Sequence, residues 1–168
     1  GTPKLAVPGE PRDRELALLE RGLAQVPVAI VCGLAGVGKS SLAYALAATW
    51  TGPTAHLAVT GATLGAVLDE ARRALGPAPE LLGDDARAAA LATTLDERGA
   101  LLVLDDLHRL APDDQARLLA AVGARLGRGR LVATSRERPA SAQGYDRVEV
   151  HLGGLPERAA RALWAALD

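Results

Sequence analysis

Short runs of apolar residues alternate along the chain with longer segments in which apolar residues recur every three or four positions. The runs at 28–32 (VAIVC) and 101–104 (LLVL) are continuous, which is typical of strands buried on both faces of a parallel sheet. Further strands are predicted at 55–59, 130–134 and 147–152. Five strands are therefore expected.

Helices are predicted between these strands. Leu64, Val67, Leu68 and Ala71, for example, have the spacing of one helical face. The predicted helices cover 12–24, 39–50, 64–75, 84–98, a segment opened by Pro112, and 156–167. Alternation of strands and helices predicts a single α/β domain over residues 1–168, a sandwich built around a mostly parallel sheet.

A glycine-rich turn follows the first predicted strand and matches the phosphate-loop pattern G-x-x-x-x-G-K-[ST] in full. Glycines allow the main chain to turn its N–H groups toward phosphate oxygens, and the following helix adds the positive end of its dipole. Lys39 is expected to bind the β- and γ-phosphates, Ser40 to bind Mg²⁺ and Ser41 to reach the α-phosphate. The predicted phosphate-binding residues are Gly33, Leu34, Ala35, Gly36, Val37, Gly38, Lys39, Ser40 and Ser41.

The lysine in this loop is unusual for the chain, because Lys4 and Lys39 are the only lysines among 19 basic residues. With this composition, a chance match to the loop pattern is expected roughly 0.002 times per chain. A surface lysine beside an ordinary glycine turn is the weaker interpretation, and we expect a nucleotide-binding domain.

Two acids follow the apolar run at 101–104, in the pattern of a Walker B strand. Strand carboxyl ends are where ligands bind in open α/β sheets, so Asp105 is expected to hold Mg²⁺ and Asp106 to orient or deprotonate the attacking water. The acidic pairs at 84–85 and 113–114 follow no apolar strand, and they are interpreted as helix-capping residues.

A third buried strand ends in the polar residues Thr134, Ser135 and Arg136. Its end should lie beside the phosphates, where Arg136 would contact the γ-phosphate and distinguish ATP from ADP. The chain contains no Asn, so it lacks the guanine-reading motif N-K-x-D, and ATP or ADP with Mg²⁺ is the expected ligand.

The order of these motifs resembles the STAND class of P-loop NTPases, near the NB-ARC domains of plant resistance proteins, apoptosome scaffolds and bacterial regulators. The resemblance is carried by GLAGVGKSSLA, LLVLDDLH, LVATSR and VEVHLGGL. The segment PRDREL at 11–16 is similar to the entry motif of that class, although Pro11 stands where the class has Gly.

The resemblance implies a three-layer fold with sheet order 5-1-4-3-2 and contacts of Val7 and Arg12 with adenine. It also implies a switch that is closed with ADP and open for assembly with ATP, so homo-oligomerisation on activation is expected. Without the lobes that clamp ADP in that class, slow hydrolysis and weakened ADP retention are expected. The C-terminal helical and winged-helix lobes of the class are missing here, so a segment of a larger protein is expected. Gly154-Leu155-Pro156 is interpreted as a helix start, and Trp164 as a core or lobe-docking residue.

Composition restricts the partners. With a net charge of −1 and 23% charged residues, the chain has no bulk attraction to nucleic acid or to an anionic membrane. No apolar run approaches the ~20 residues of a membrane span. The single cysteine, Cys32, is expected to be a small buried thiol, and a cytoplasmic location is expected.

Other P-loop functions remain open at this point. A small-molecule kinase would use an acceptor site and a lid, for which the loop 136–144 with its two arginines is the candidate. The tandem acids at 105–106 suit activation of water better. A partition-type ATPase would carry a lysine where Leu34 stands, and a nucleotide sensor would scarcely turn over.

Overall fold

Five parallel strands form the centre of the computed structural model, which describes residues 6–34, 36–61, 63–140 and 144–153, with side chains from residue 13 onward. The strands are β1 (Val28–Cys32), β2 (Thr54–Ala58), β3 (Leu101–Asp105), β4 (Arg130–Ser135) and β5 (Arg147–His151). Each lies within one residue of its predicted bounds. Continuous apolar runs mark β1 and β3, whereas β2 and β5 also contain polar residues.

The helices are α1 (Ala6–Leu23), α2 (Lys39–Ala48), α3 (Leu64–Ala74), α4 (Asp84–Arg98) and α5 (Pro112–Gly123). A short 3-10 helix, Leu107–Arg109, follows β3. The predicted helix at 156–167, with Trp164 and the Gly154-Leu155-Pro156 segment, lies outside the described residues. No helix in the described ranges is long and apolar enough to cross a membrane.

The sheet order is β2-β3-β4-β1-β5, and every pairing within it is parallel. Read from the other edge, this is the order 5-1-4-3-2 that the resemblance implied, so the predicted fold class is confirmed. Because the strands are parallel, the carboxyl ends of β1, β3 and β4 lie at the same edge of the sheet. That edge is where the phosphate loop, the tandem acids and Arg136 begin.

Alternate strand residues enter two separate cores, which produces three layers. Ile30, Leu102 and Leu131 belong to the core beneath α3, α4 and α5. Val31 and Val103 belong to the core beneath α1 and α2. Strands covered on both faces are apolar at nearly every position, which explains the continuous runs in the sequence.

One helix start and the capping role of the acidic pairs differ from expectation. Helix α1 begins at Ala6 instead of residue 12, so Val7 lies within the helix and not in a loop before it. Pro8 is tolerated there, because the first turn leaves its N–H groups unpaired in any case. The acidic pair at 84–85 lies in the first turn of α4, where Gly83 is the N-cap residue, and the pair at 113–114 lies in the first turn of α5. Neither helix has a side-chain cap hydrogen bond, so neither pair has the predicted capping role. Their charges still favour the helix dipole.

Candidate functional site

The loop between β1 and α2 uses glycine for two different physical reasons. Gly36 and Gly38 have φ angles of 83° and 96°, in the left-handed region that side chains disfavour. At Gly33 the reason is space, since a Cβ there would lie 2.4 Å from the carbonyl oxygen of Leu152. The Gly33 N–H donates to the Ser135 carbonyl oxygen at 3.1 Å, which joins the loop to β4.

Lys39 begins α2 and is only 7% exposed. Its Nζ donates a hydrogen bond to the carbonyl oxygen of Leu34 at 3.0 Å, so the ammonium group is held across the loop. A buried ammonium needs anionic or carbonyl partners, and a phosphate supplies both charge and acceptor oxygens. The local fold therefore places one fixed positive charge beside the loop glycines.

Ser40, Asp105 and Thr134 form a chain of hydrogen bonds between three elements that are distant in sequence. The Ser40 hydroxyl donates to Asp105 Oδ1 at 3.0 Å, and the Thr134 hydroxyl donates to the same oxygen at 2.7 Å. Thr134 Oγ1 also accepts the Asp106 N–H at 2.9 Å. The carboxylate of Asp105 is thus oriented toward α2 by a hydroxyl buried in β4.

Asp106 is the one residue other than glycine with a positive φ in the described part of the chain, at 63°. Such a conformation costs on the order of 1–3 kcal/mol and is found preferentially at functional sites. Its carboxylate is partly exposed and lies 3.9 Å from Nε of Arg109. The turn directs Asp106 away from the sheet core, whereas Asp105 faces Ser40.

Arg136 follows β4 directly, and its main-chain N–H donates to Nδ1 of His108 at 3.0 Å. Nδ1 is therefore the acceptor nitrogen, and the ring proton resides on Nε2 in this arrangement. This bond connects the end of β4 to the 3-10 helix after β3.

A cavity of about 440 Å³ opens at this edge of the sheet. Its lining includes predicted residues from the loop, from α2 and from the ends of β3 and β4, together with two residues of the 3-10 helix. The lining residues are Gly36, Gly38, Lys39, Ser40, Ser41, Asp106, His108, Arg109 and Arg136. The structure thus brings together phosphate-loop, Walker B and strand-end residues that lie far apart in the sequence.

Some predicted residues are not placed in this cavity. The side chains of Val7 and Arg12, and the whole of Ala35, lie outside the described residues. Cys32 is buried, as expected, at 3% exposed, and it does not line the cavity. Burial, with a smaller contribution from Glu149, raises the pKa of its thiol to about 12, so the thiol is unreactive at neutral pH.

Three residues of the site were not assigned a role from the sequence: Thr134, His108 and Arg109. A usable signal existed for Thr134, which is a polar residue inside an apolar strand and therefore needs a buried partner. His108 and Arg109 carry no such signal, because only the turn at Asp106 brings them to the cavity.

The donor set fits a magnesium nucleotide. Mg²⁺ prefers hard oxygen ligands and is usually held by one or two protein groups together with phosphates and water. The Ser40 hydroxyl and the Asp105 carboxylate are such a pair. A Cβ at Gly36 would meet no atom of the described residues within 4 Å, so within this part of the chain the space beside the loop amides is open for phosphate.

The fold is shared with solved ATPase structures. A STAND protein with a tetratricopeptide repeat sensor from Pyrococcus horikoshii is similar at a TM-score of 0.59 and 23% identity over 90% of this chain. A Walker-type ATPase of Pyrococcus abyssi is similar at a TM-score of 0.62 and 15% sequence identity over 94% of this chain. The chain spans 24% and 59% of those two proteins. No protein-family model and no curated protein matches it. The likeness establishes the P-loop ATPase fold.

Proposed function

We propose that this chain is the ATP- and ADP-binding switch domain of a STAND-type signalling or transcription-regulatory ATPase, with slow Mg²⁺-dependent hydrolysis. The observation that carries the proposal is the contact between Ser40 and Asp105 at 3.0 Å beside the buried Lys39. It joins a phosphate loop to a Walker B acid across 65 residues of sequence.

Each side chain has a separate task in this proposal. Lys39 and the loop amides bind the β- and γ-phosphates, while Ser40 and Asp105 hold the metal. Mg²⁺, when bound, would neutralise charge on the phosphate oxygens. Asp106, free of the hydrogen bonds that hold Asp105, orients the attacking water and accepts its proton.

Arg136 is assigned to the terminal phosphate. It lies at the end of β4 and lines the cavity that Lys39 and Asp106 also line. A guanidinium group forms paired hydrogen bonds with phosphate oxygens, so its contribution should be larger for ATP than for ADP. The STAND assignment is supported by the order of the sequence motifs and by the fold similarity to a STAND protein.

Replacing Lys39 tests nucleotide binding. Lys39→Ala should abolish Mg-ATP binding in titration calorimetry, because the fixed positive charge at the loop is lost. A circular-dichroism melt of the variant controls for folding. A folded variant with wild-type affinity would refute the assignment of the phosphate loop.

Replacing Asp106 tests the division of roles between the two acids. Asp106→Asn should retain Mg-ATP affinity and slow steady-state phosphate release. The control is Asp113→Asn, which replaces an exposed acid of α5 and should change neither the affinity nor the rate of phosphate release. Equal loss of binding and turnover in Asp106→Asn would contradict the division.

Displacement of ATP by GTP at equal concentration would contradict adenine selectivity.

A small-molecule kinase is the second candidate. Arg109 and Arg136 both line the cavity, and two arginines at one rim suit a phosphorylated acceptor as well as a nucleotide. A kinase would release ADP only when an acceptor is added and would form a phosphorylated product. ADP release with water alone, at an unchanged rate across an acceptor panel, would favour the switch ATPase.

A further inference from the structure

A buried carboxylate on the edge strand β5 holds three basic side chains outside the cavity. Glu149 is 8% exposed, and its Oε1 accepts a hydrogen bond from Arg138 Nε at 2.7 Å. Its Oε2 accepts from Arg147 at 2.7 and 2.8 Å, and His151 Nε2 lies 3.2 Å from Oε1. We call Arg138, Arg147, Glu149 and His151 the Glu149 cluster.

Burial alone would disfavour the charged form of Glu149. The hydrogen bonds from Arg138, His151 and Arg147 outweigh burial and hold the pKa of Glu149 below its usual value, so the carboxylate is ionised. A buried ion cluster is weak evidence for stability, because desolvation offsets much of the attraction. The geometry of the cluster indicates instead a role in holding the segment to which its side chains are hydrogen-bonded, residues 138–140.

The Glu149 cluster binds the loop that follows β4. Arg147 Nη2 donates to the carbonyl oxygen of Pro139 at 2.6 Å, and its Nη1 lies 3.3 Å from that of Ala140. Arg138, in the middle of the same loop, is held by Glu149 itself. The far half of the loop 136–140 is therefore attached to β5 by side chains.

The near half of the loop is attached to the phosphate site. The Ser135 hydroxyl donates to the Glu137 carbonyl oxygen at 2.7 Å, and the Arg136 N–H donates to His108 at 3.0 Å. Arg136 is thus the cavity-lining residue of a five-residue loop held at both ends. The rotamer of Arg136 depends on the backbone that these contacts define.

We propose that Glu149 is a positioning residue which, through Arg138 and Arg147, fixes the 136–140 loop and so directs the Arg136 guanidinium toward the terminal phosphate of a bound nucleoside triphosphate. The inference rests on the proposed function, in which Arg136 distinguishes ATP from ADP. Glu149 is not among the residues that line the cavity.

The test compares two affinities within one protein. For wild type, Glu149→Gln, Arg136→Ala and the double variant, titration calorimetry gives the dissociation constants of ADP and of a non-hydrolysable ATP analogue with Mg²⁺. Glu149→Gln should lower the ATP-over-ADP preference about tenfold, because one charge-assisted contact to phosphate is displaced. Arg136→Ala should lower it at least as much, and the double variant no further.

Asp69 is a matched control, because its carboxylate also holds two guanidinium groups, those of Arg72 and Arg87, at 2.9 and 3.0 Å. It lies on α3 and is outside the cavity lining. Asp69→Asn should lower the melting temperature and leave the nucleotide preference within about twofold of wild type. A comparable loss of preference in Asp69→Asn would overturn the proposal, since general loosening would then explain the effect.

Other outcomes separate this inference from the proposed function. A Glu149→Gln preference within about twofold of wild type, with a lowered preference in Arg136→Ala, overturns the positioning role alone. A wild-type ATP-over-ADP preference in Arg136→Ala overturns both the positioning role of Glu149 and the proposed role of Arg136 in distinguishing ATP from ADP. If Glu149→Gln fails to fold, Arg138→Gln breaks the same contact from a side chain that is 57% exposed, and the same criteria apply to it.

Discussion

Thr134→Val removes one hydroxyl from the centre of the site without changing the volume of the side chain. Thr134 is fully buried, and its hydroxyl both donates to Asp105 and accepts from the Asp106 N–H. The substitution therefore deletes two hydrogen bonds, one of them to a carboxylate. It also places a methyl group against a peptide N–H that then lacks its partner.

The magnitude follows from those two contacts. A hydrogen bond to a charged group contributes about 1.5–3 kcal/mol, and a buried donor left unpaired costs about 1–3 kcal/mol. The added methyl group offsets about 1 kcal/mol. We expect the free energy of unfolding to fall by about 2–4 kcal/mol, which lowers the urea midpoint by about 1–2 M for a domain of this size.

The assay pairs urea unfolding with Mg-ATP titration. In Thr134→Val the Asp105 carboxylate loses the hydrogen bond from β4 and keeps the one from Ser40, so its orientation is less well fixed and the gain in nucleotide affinity on adding Mg²⁺ should shrink about tenfold or more. Thr134→Ser retains the hydroxyl and loses only a methyl group, so it should lose about 1 kcal/mol of stability and keep the full effect of Mg²⁺. Equal urea midpoints for Val and wild type, or an equal magnesium effect in both, would refute this account of Thr134.

Three further outcomes are expected. Gly33→Ala should destabilise the fold by about 1–3 kcal/mol, since its Cβ would meet the Leu152 carbonyl oxygen, whereas Gly127→Ala, whose Cβ would lie 3.5 Å from the nearest atom, should be nearly neutral in urea unfolding. Cys32 should react with a thiol reagent at pH 8 only after denaturant is added, and rapid labelling of the folded protein would contradict its burial. The pKa of Glu149 is lowered in the folded protein, so its ionisation stabilises the fold above the usual glutamate pKa near 4.5, and this contribution is lost as pH falls through the lower folded pKa. The difference in unfolding free energy between wild type and Glu149→Gln should therefore shrink below about pH 4.5. A difference that grows on acidification would contradict the lowered pKa of Glu149.

The sequence alone was sufficient for the fold class and for selecting several of the residues that line the cavity. Strand bounds and the phosphate loop depend on local features: continuous apolar runs, turn residues and a motif of eight consecutive positions. These features act over a few residues, so they are legible without knowledge of the rest of the chain. The sheet order came from resemblance to a known class of proteins, and the structure confirms it.

Tertiary structure decided which side chains meet. Ser40 and Asp105 are 65 residues apart, Thr134 and Asp106 are 28 apart, and their contacts exist because parallel pairing brings the ends of β3 and β4 beside α2. The positive φ of Asp106 sends its carboxylate into the cavity while that of Asp105 faces Ser40, a distinction invisible in two identical letters. The contacts of Glu149 and Arg147 with the 136–140 loop likewise depend on the position of β5 at the sheet edge beside β1. Strand pairing decides these hydrogen-bond partners, and local composition does not.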